Sequence, residues 1–208
     1  MIRICGCSSG MLPDMSEMRE RIGEQWLEAW EKRHPNLKGT AAELSLGGLL
    51  LLREMGAQGI LTYTPNGRPY FADSHRDFSI THTGEAVFCA LAPKDVPWSV
   101  GLDAEDLGRI SSDRLEALSL RWFGEEERRF FAKSSDQRTF LSIWTRKEAF
   151  VKRSGEGLRQ IPHLDTYAPY RAEKAAFWTY WMGDTCVTLC ADEGACAEEW
   201  ILFDGERK

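Results

Sequence analysis

Nowhere in the sequence do apolar residues run for the roughly 18 positions that a membrane-spanning helix needs. The start, M-I-R-I-C-G-C-S-S-G, sets only a few apolar residues before its polar ones, so neither a signal peptide nor an anchor is read there and a cytoplasmic protein is expected. Basic excess is lacking too. A formal net charge of −6 over 208 residues argues against a protein that coats nucleic acid or an anionic membrane, while leaving room for a local basic patch facing a phosphorylated small molecule. The histidines are few and scattered (His34, His75, His82 and His163), and no C-x-x-C occurs, Cys5 and Cys7 being one residue apart. A structural zinc site is therefore not expected. Cys5, Cys7, Cys89, Cys186, Cys190 and Cys196 read mostly as small buried hydrophobes rather than as a disulfide framework. There is no residue-level repeat and no low-complexity linker.

What is present reads as alternating helical and strand patterns. Asp14 and Glu17 have capping-box spacing, and Met18, Ile22, Trp26 and Trp30 recur every four residues, which predicts one amphipathic helix ending before Pro35. Thr40 and Glu43 repeat the signal ahead of a second helix through L-S-L-G-G-L-L-L-L-R-E-M, with Gly56 as its stop. From Ile60 the period changes to strands: I-L-T-Y-T, the turn P-N-G-R-P, F-S-I-T-H, the turn T-G-E, and A-V-F-C-A-L-A. S-V-G-L-D-A-E alternates as a half-buried strand. Helical spacing returns from Ser111 to Lys152, with Gly155 and Gly157 as stops, and the tail holds F-W-T-Y-W, T-C-V-T-L-C-A and E-W-I-L-F as strands. Each half thus runs helices first and strands second.

Three clusters carry chemistry. In V-G-L-D-A-E the two-residue period puts the Asp103 and Glu105 carboxylates on one face, with Cβ atoms roughly 7 Å apart. Their repulsion is about 2.4 kcal/mol at an effective dielectric of about 20 and about 0.6 kcal/mol in open water. On a wet face nothing needs explaining, as for most D-x-E pairs; on a dry one, Mg2+ between the carboxylates removes the repulsion, and Gly101 leaves room for a ligand. In W-T-R-K-E-A-F-V-K, Trp144, Glu148 and Lys152 share one helix face. Such a Glu-Lys pair is ordinarily a surface pair contributing a few tenths of a kcal/mol. Here it lies beside a tryptophan, in a stretch made basic by Arg146, Lys147, Lys152 and Arg153. In F-S-I-T-H-T-G, His82 is ordinarily a core-edge histidine, yet it sits with Thr81 and Thr83 where a strand meets a glycine turn, a place suited to an anion. Arg68, in N-G-R-P-Y, is a weaker candidate for a phosphate contact.

Taken in order, N-G-R-P, S-I-T-H-T-G, V-G-L-D-A-E and W-T-R-K-E-A-F-V-K-R-S-G-E-G-L resemble the Sfp-type 4′-phosphopantetheinyl transferases, closely from Pro65 to Leu158 and in strand order beyond. The resemblance implies an α/β (α+β) chain folded as a pseudodimer of two similar subdomains, each with helices on a small, mainly antiparallel sheet. Residues 1–99 would form the subdomain on the coenzyme A phosphate side and 100–208 the one with Mg2+ and the catalytic helix, the active site lying between them. It further implies transfer of phosphopantetheine from coenzyme A to a serine of an apo acyl or peptidyl carrier protein, with release of 3′,5′-ADP.

By motif position, Asp103, Glu105 and Glu148 are the implied metal ligands, and Lys152 contacts the pyrophosphate. Glu148 or Glu105, directly or through a metal-bound water, would accept the serine proton. Thr81, His82 and Thr83 stand in the place of an S-H-S motif that holds the coenzyme's phosphates, Arg68 in that of a G-K-P lysine, and Lys147 is a further coenzyme-binding candidate. Glu127, in R-W-F-G-E-E-E, matches a glutamate that can lie near the metal. One departure stands upstream: Glu43 occupies the place of an arginine on the 3′-phosphate side, for which Lys32, Arg33 or Lys38 could substitute. That departure keeps open a non-catalytic coenzyme A or carrier-protein adaptor, beside a different Mg2+-dependent transfer on a nucleotide diphosphate. An internally paired fold needs no partner chain, so a monomer is expected.

Overall fold

The computed structural model describes residues 1–168, 174–195 and 199–203. Two compact units divide it, one made of residues 1–100 with the C-terminal segment from Ala195, the other of residues 101–194. The architecture is α+β, helices packing on small sheets.

The first unit opens on a strand that local pattern does not reveal, β1 (Arg3–Ser8). It is followed by the helices α1 (Met15–Ile22), α2 (Glu24–Arg33) and α3 (Gly39–Glu54). The expected single helix is broken at Gly23, whose φ of 86° no helix accommodates, although Met18, Ile22, Trp26 and Trp30 are all buried as their spacing requires. Asp14 does cap α1, its Oδ1 accepting from the backbone N–H groups of Ser16 and Glu17, each at 2.9 Å. Thr40 does not cap α3: the N-cap lies two residues earlier, at Lys38, with no side-chain cap bond.

From Leu46 to Leu52 every residue of α3 is buried, so the helix is enclosed on all sides rather than along one stripe. Each buried leucine contributes about 2 kcal/mol. Gly48 brings the helix against the sheet, since a Cβ there would lie 2.4 Å from Ile80 Cγ2.

Around α3 lie β2 (Leu61–Tyr63), β3 (Pro69–Phe71), β4 (Phe78–His82) and β5 (Ala86–Leu91), with the final strand β9 (Glu199–Leu202). β2 and β3 form a hairpin across the P-N-G-R-P turn, which ends in a Gly67 N–H to Thr64 carbonyl bond of 2.8 Å. The sheet order is β4-β5-β1-β9. β1 pairs antiparallel with β5, Cys5 opposite Cys89, and parallel with β9, Cys5 opposite Ile201. The last described strand therefore joins the sheet in which the first strand is an inner member.

In the second unit, β6 (Val100–Asp106), which begins at the last residue of the first unit, β8 (Thr185–Asp192) and β7 (Ala175–Met182) form a sheet in that order. The helices α4 (Leu115–Trp122), α5 (Glu125–Phe131) and α6 (Gln137–Ser154) accompany it. Asp136 caps α6 by accepting from Thr139 N at 2.7 Å, and Gly155 ends it in the left-handed conformation. Inside α6, Phe140, Leu141 and Ile143 join Leu115, Phe123 and Phe131 in the core. Thr145 meets Thr188 of β8, oxygen to oxygen, at 2.8 Å. β6 departs from expectation: it is buried from Val100 through Glu105 on both faces, not on one.

The described cysteines, Cys5, Cys7, Cys89, Cys186 and Cys190, are all buried. Burial pushes the Cys7 thiol up to about 11. Cys196 lies outside the described residues.

Candidate active site

Strand β6 and helix α6 position the acidic residues of the second unit. Gly101, Asp103 and Glu105 share one face of β6, and α6 lies directly on Gly101. A Cβ there would sit 1.9 Å from the Ala149 carbonyl oxygen and 2.5 Å from Arg153 N. The missing side chain thus admits the helix, not a ligand. This close approach sets Glu148 and Lys152, four residues apart on α6, beside the carboxylates of β6.

Lys152 Nζ donates to Asp103 Oδ1 at 2.7 Å, from a lysine side chain 32% exposed to a carboxylate 5% exposed. Arg109 returns to β6 after the turn at Gly108 and donates to Glu105 Oε2 at 2.6 Å. Trp144, one turn before Glu148, stands edge-on to Trp122 at 6.2 Å and closes that end of the helix face.

Repulsion and dryness mark the cluster electrostatically. Burial, the charge of Asp103 and then that of Glu105 raise the Glu148 carboxyl to about 7, against the opposing pull of Lys152 and Arg109. Glu105 is raised by burial and Asp103, and lowered by Arg109 and Lys152. Among the described residues, no group of three His, Cys, Asp or Glu side chains is disposed to hold a metal ion, and the nearby positive charge is supplied by Lys152 and Arg109. The donor set, Asp103 with two glutamates that burial and the Asp103 charge push toward protonation, nonetheless suits a hard divalent cation.

Two further predicted residues of the second unit, Lys147 and Glu127, pair with each other. Lys147, expected to bind coenzyme, is wholly buried one residue from Glu148, because a helix turns about 100° per residue. It donates to Glu127 Oε2 at 2.6 Å. Glu127, expected near the metal, is equally buried and is not among the charges that shift Glu148.

In the first unit, Thr81 and His82 point to opposite faces of β4, Thr81 buried and His82 exposed. The Thr83 hydroxyl is engaged in its own turn, accepting from Glu85 N at 3.3 Å and Ala86 N at 3.2 Å. Arg68 holds both oxygens of Asp77 through one nitrogen, at 2.9 and 2.7 Å. Asp77 also accepts from Val100 N at 2.8 Å, at the entry to β6. The sequence reading missed Asp77 and Arg109. Arg109 was within reach of it, four residues beyond Glu105; Asp77, nine residues from Arg68 with no shared period, was not.

These carboxyls give the metal-free protein a distinctive pH dependence. A glutamate that ionises near 4.5 in the unfolded chain ionises at about 7 at Glu148 in the folded one, and Glu105 and Asp77 are displaced the same way. Between those values the unfolded chain holds fewer protons than the folded one, so stability falls as pH rises through the window and levels off above it. Glu148, half-buried, accounts for about 2 kcal/mol of this once solvent screening is discounted. His34, lowered by burial, acts in the opposite sense. Urea unfolding is expected to give a lower midpoint at about pH 8 than at about pH 5, with the difference shrinking when millimolar Mg2+ is added.

Residues 99–200 match the model of the 4′-phosphopantetheinyl transferase superfamily. The 4′-phosphopantetheinyl transferase HetI of Nostoc sp. is 29% identical over 146 residues, 64% of this chain and 60% of the relative. The transferase Sfp of Bacillus subtilis is 33% identical over 103 residues, 48% of this chain and 41% of the relative. AcpT of Salmonella typhimurium is 30% identical over 125 residues, 59% of this chain and 64% of the relative. The chain thus spans less than two thirds of each of these relatives. The matched span opens just before the strand that carries Asp103 and runs past β8, enclosing every carboxylate of the cluster; over residues 99–200 the chain is similar to the 4′-phosphopantetheinyl transferase superfamily.

Proposed function

We propose that this protein transfers the 4′-phosphopantetheine arm of coenzyme A to a serine of an apo acyl or peptidyl carrier protein, in a Mg2+-dependent reaction that releases 3′,5′-ADP. One observation carries the reading: within the family-matched span, two buried carboxylates, a half-buried one and a lysine lie where β6 meets α6. Asp103, Glu105 and Glu148 would hold the ion once Lys152 and Arg109 give up the carboxylates they now engage. Bound there, Mg2+ supplies positive charge against the oxygens of the diphosphate.

In the transfer the serine oxygen bonds to the phosphorus bearing the pantetheine arm. The bond from that phosphorus to the bridging oxygen breaks, and its electron pair leaves with 3′,5′-ADP. The hydroxyl proton passes to Glu148 or Glu105. Lys152, exchanging Asp103 for phosphate oxygens, stabilises the charge that builds on them. From the first unit, Arg68, Thr81, His82 and Thr83 are the phosphate-side candidates of this reading, with His82 the exposed one among the last three.

Incubating the protein with coenzyme A, Mg2+ and a panel of apo carriers should add one phosphopantetheine to a carrier, read by intact mass, with release of 3′,5′-ADP. Coenzyme A binding with no carrier gaining mass would replace this reading with the adaptor, for which Glu43 in the place of an arginine is the motive.

A further inference from the structure

Lys147 and Glu127 are opposite charges in a place solvent does not reach, each side chain being 0% exposed. Lys147 Nζ donates to Glu127 Oε2 at 2.6 Å and also to the Leu164 carbonyl oxygen. Glu127 Oε2 accepts from Gly124 N at 2.8 Å as well, while its Oε1 accepts from both the backbone N–H and the hydroxyl of Thr166, each at 2.8 Å. One carboxylate therefore gathers four hydrogen bonds from the start of α5, the segment at 164–166 and the middle of α6. Asp165 adds a second tie between two of these, accepting from Glu126 N at 2.8 Å, and Gly124 has no side chain where the Asp165 carboxyl lies against it.

As a means of filling the interior the pair is a poor choice. Two buried charges lose their hydration, and apolar side chains of equal volume are commonly as stable or more so. Direction is what the pair supplies and apolar packing does not. Lys147 is the residue before Glu148 and five before Lys152, on a helix whose angular setting decides whether those two face Asp103. Turning α6 by about 20° about its axis moves each Cα by about 0.8 Å and the side-chain ends further. A displacement near 1 Å at reacting groups can cost about 100-fold in rate.

We infer that the buried Lys147–Glu127 pair is a positioning device that sets the rotation of α6, so that Glu148 and Lys152 face the carboxylates of β6. Neither residue touches substrate. The activity arm of the test rests on the transferase reading; the ion-binding arm does not.

The test compares wild type with Lys147→Met/Glu127→Gln, which removes both charges together, keeps an amide oxygen for the Thr166 N–H and hydroxyl, and gives up the bonds to Gly124 N and the Leu164 carbonyl. Thr166→Val, which deletes one hydrogen bond and keeps the packing, serves if the double variant fails to fold. With circular dichroism matching wild type, the double variant is expected to bind Mn2+ about tenfold more weakly by electron paramagnetic resonance, and Thr166→Val two- to threefold. In carrier modification, kcat should fall about 10- to 100-fold in the double variant with KM for coenzyme A little changed. A pair that only stabilised the fold would lower the melting temperature and leave Mn2+ affinity and kcat alone; that result in the folded variant overturns the inference. Should wild type modify no carrier, the transferase reading fails while the Mn2+ comparison still decides this one. Wild type that binds no Mn2+ overturns it as well, since α6 would then have no ion-binding arrangement to set.

Discussion

Glu148→Gln is expected to lower carrier modification by roughly 10³-fold or more while leaving the protein folded. Glutamine keeps the volume and one carbonyl oxygen but removes the charge, and with it both roles open to Glu148: ligand to a divalent ion and acceptor of the serine proton. The metal-free protein should gain rather than lose stability near neutral pH. Burial, Asp103 and Glu105 already push this carboxyl up to about 7, so a neutral side chain there relieves repulsion instead of creating it. Loss of turnover with an unchanged or higher urea midpoint at about pH 8, and with weakened Mn2+ binding, separates a functional carboxylate from a structural one. A fully active variant would remove Glu148 from the chemistry.

What the sequence made legible is what obeys a local period. Asp103 and Glu105 fall on one strand face by alternation, and Glu148 and Lys152 on one helix face by a spacing of four. The structure has Lys152 on Asp103 and places Glu148 in the field of both β6 carboxylates. The rest depended on partners distant along the chain. β1 went unread because its pairing residues, near Cys89 on one side and Ile201 on the other, share no local pattern with it. The burial of both faces of β6 is likewise a tertiary fact, invisible in an alternation that would look the same on a half-exposed strand. Lys147 reads as a coenzyme-binding candidate and Glu127, by motif position, as a glutamate near the metal; their 20-residue separation conceals that they satisfy each other. Gly23 was overlooked because the buried positions on either side keep the four-residue spacing across the break.

The largest effect on stability is expected from the smallest substitution, Gly101→Ala. A methyl group there would lie 1.9 Å from the Ala149 carbonyl oxygen, 2.5 Å from Arg153 N and 3.0 Å from the Ala149 carbonyl carbon. All three are backbone atoms of α6, so no side-chain rotation relieves the contact and the helix itself must move off the strand. Overpacking of this kind costs about 3 kcal/mol, and more where backbone meets backbone. For a chain of this size that corresponds to roughly 6–12 °C in melting temperature. The displacement also acts on the site, since the surface that Gly101 keeps open is the one across which Lys152 reaches Asp103. With α6 lifted, Asp103 and Glu105 no longer raise the Glu148 carboxyl. The fall in stability between about pH 5 and about pH 8 should then diminish along with Mn2+ affinity, although no charged group has been altered. A Gly101→Ala protein whose urea midpoint and pH dependence equal those of wild type would mean that α6 and β6 are not in backbone contact, and the juxtaposition on which the carboxylate cluster depends would have to be abandoned.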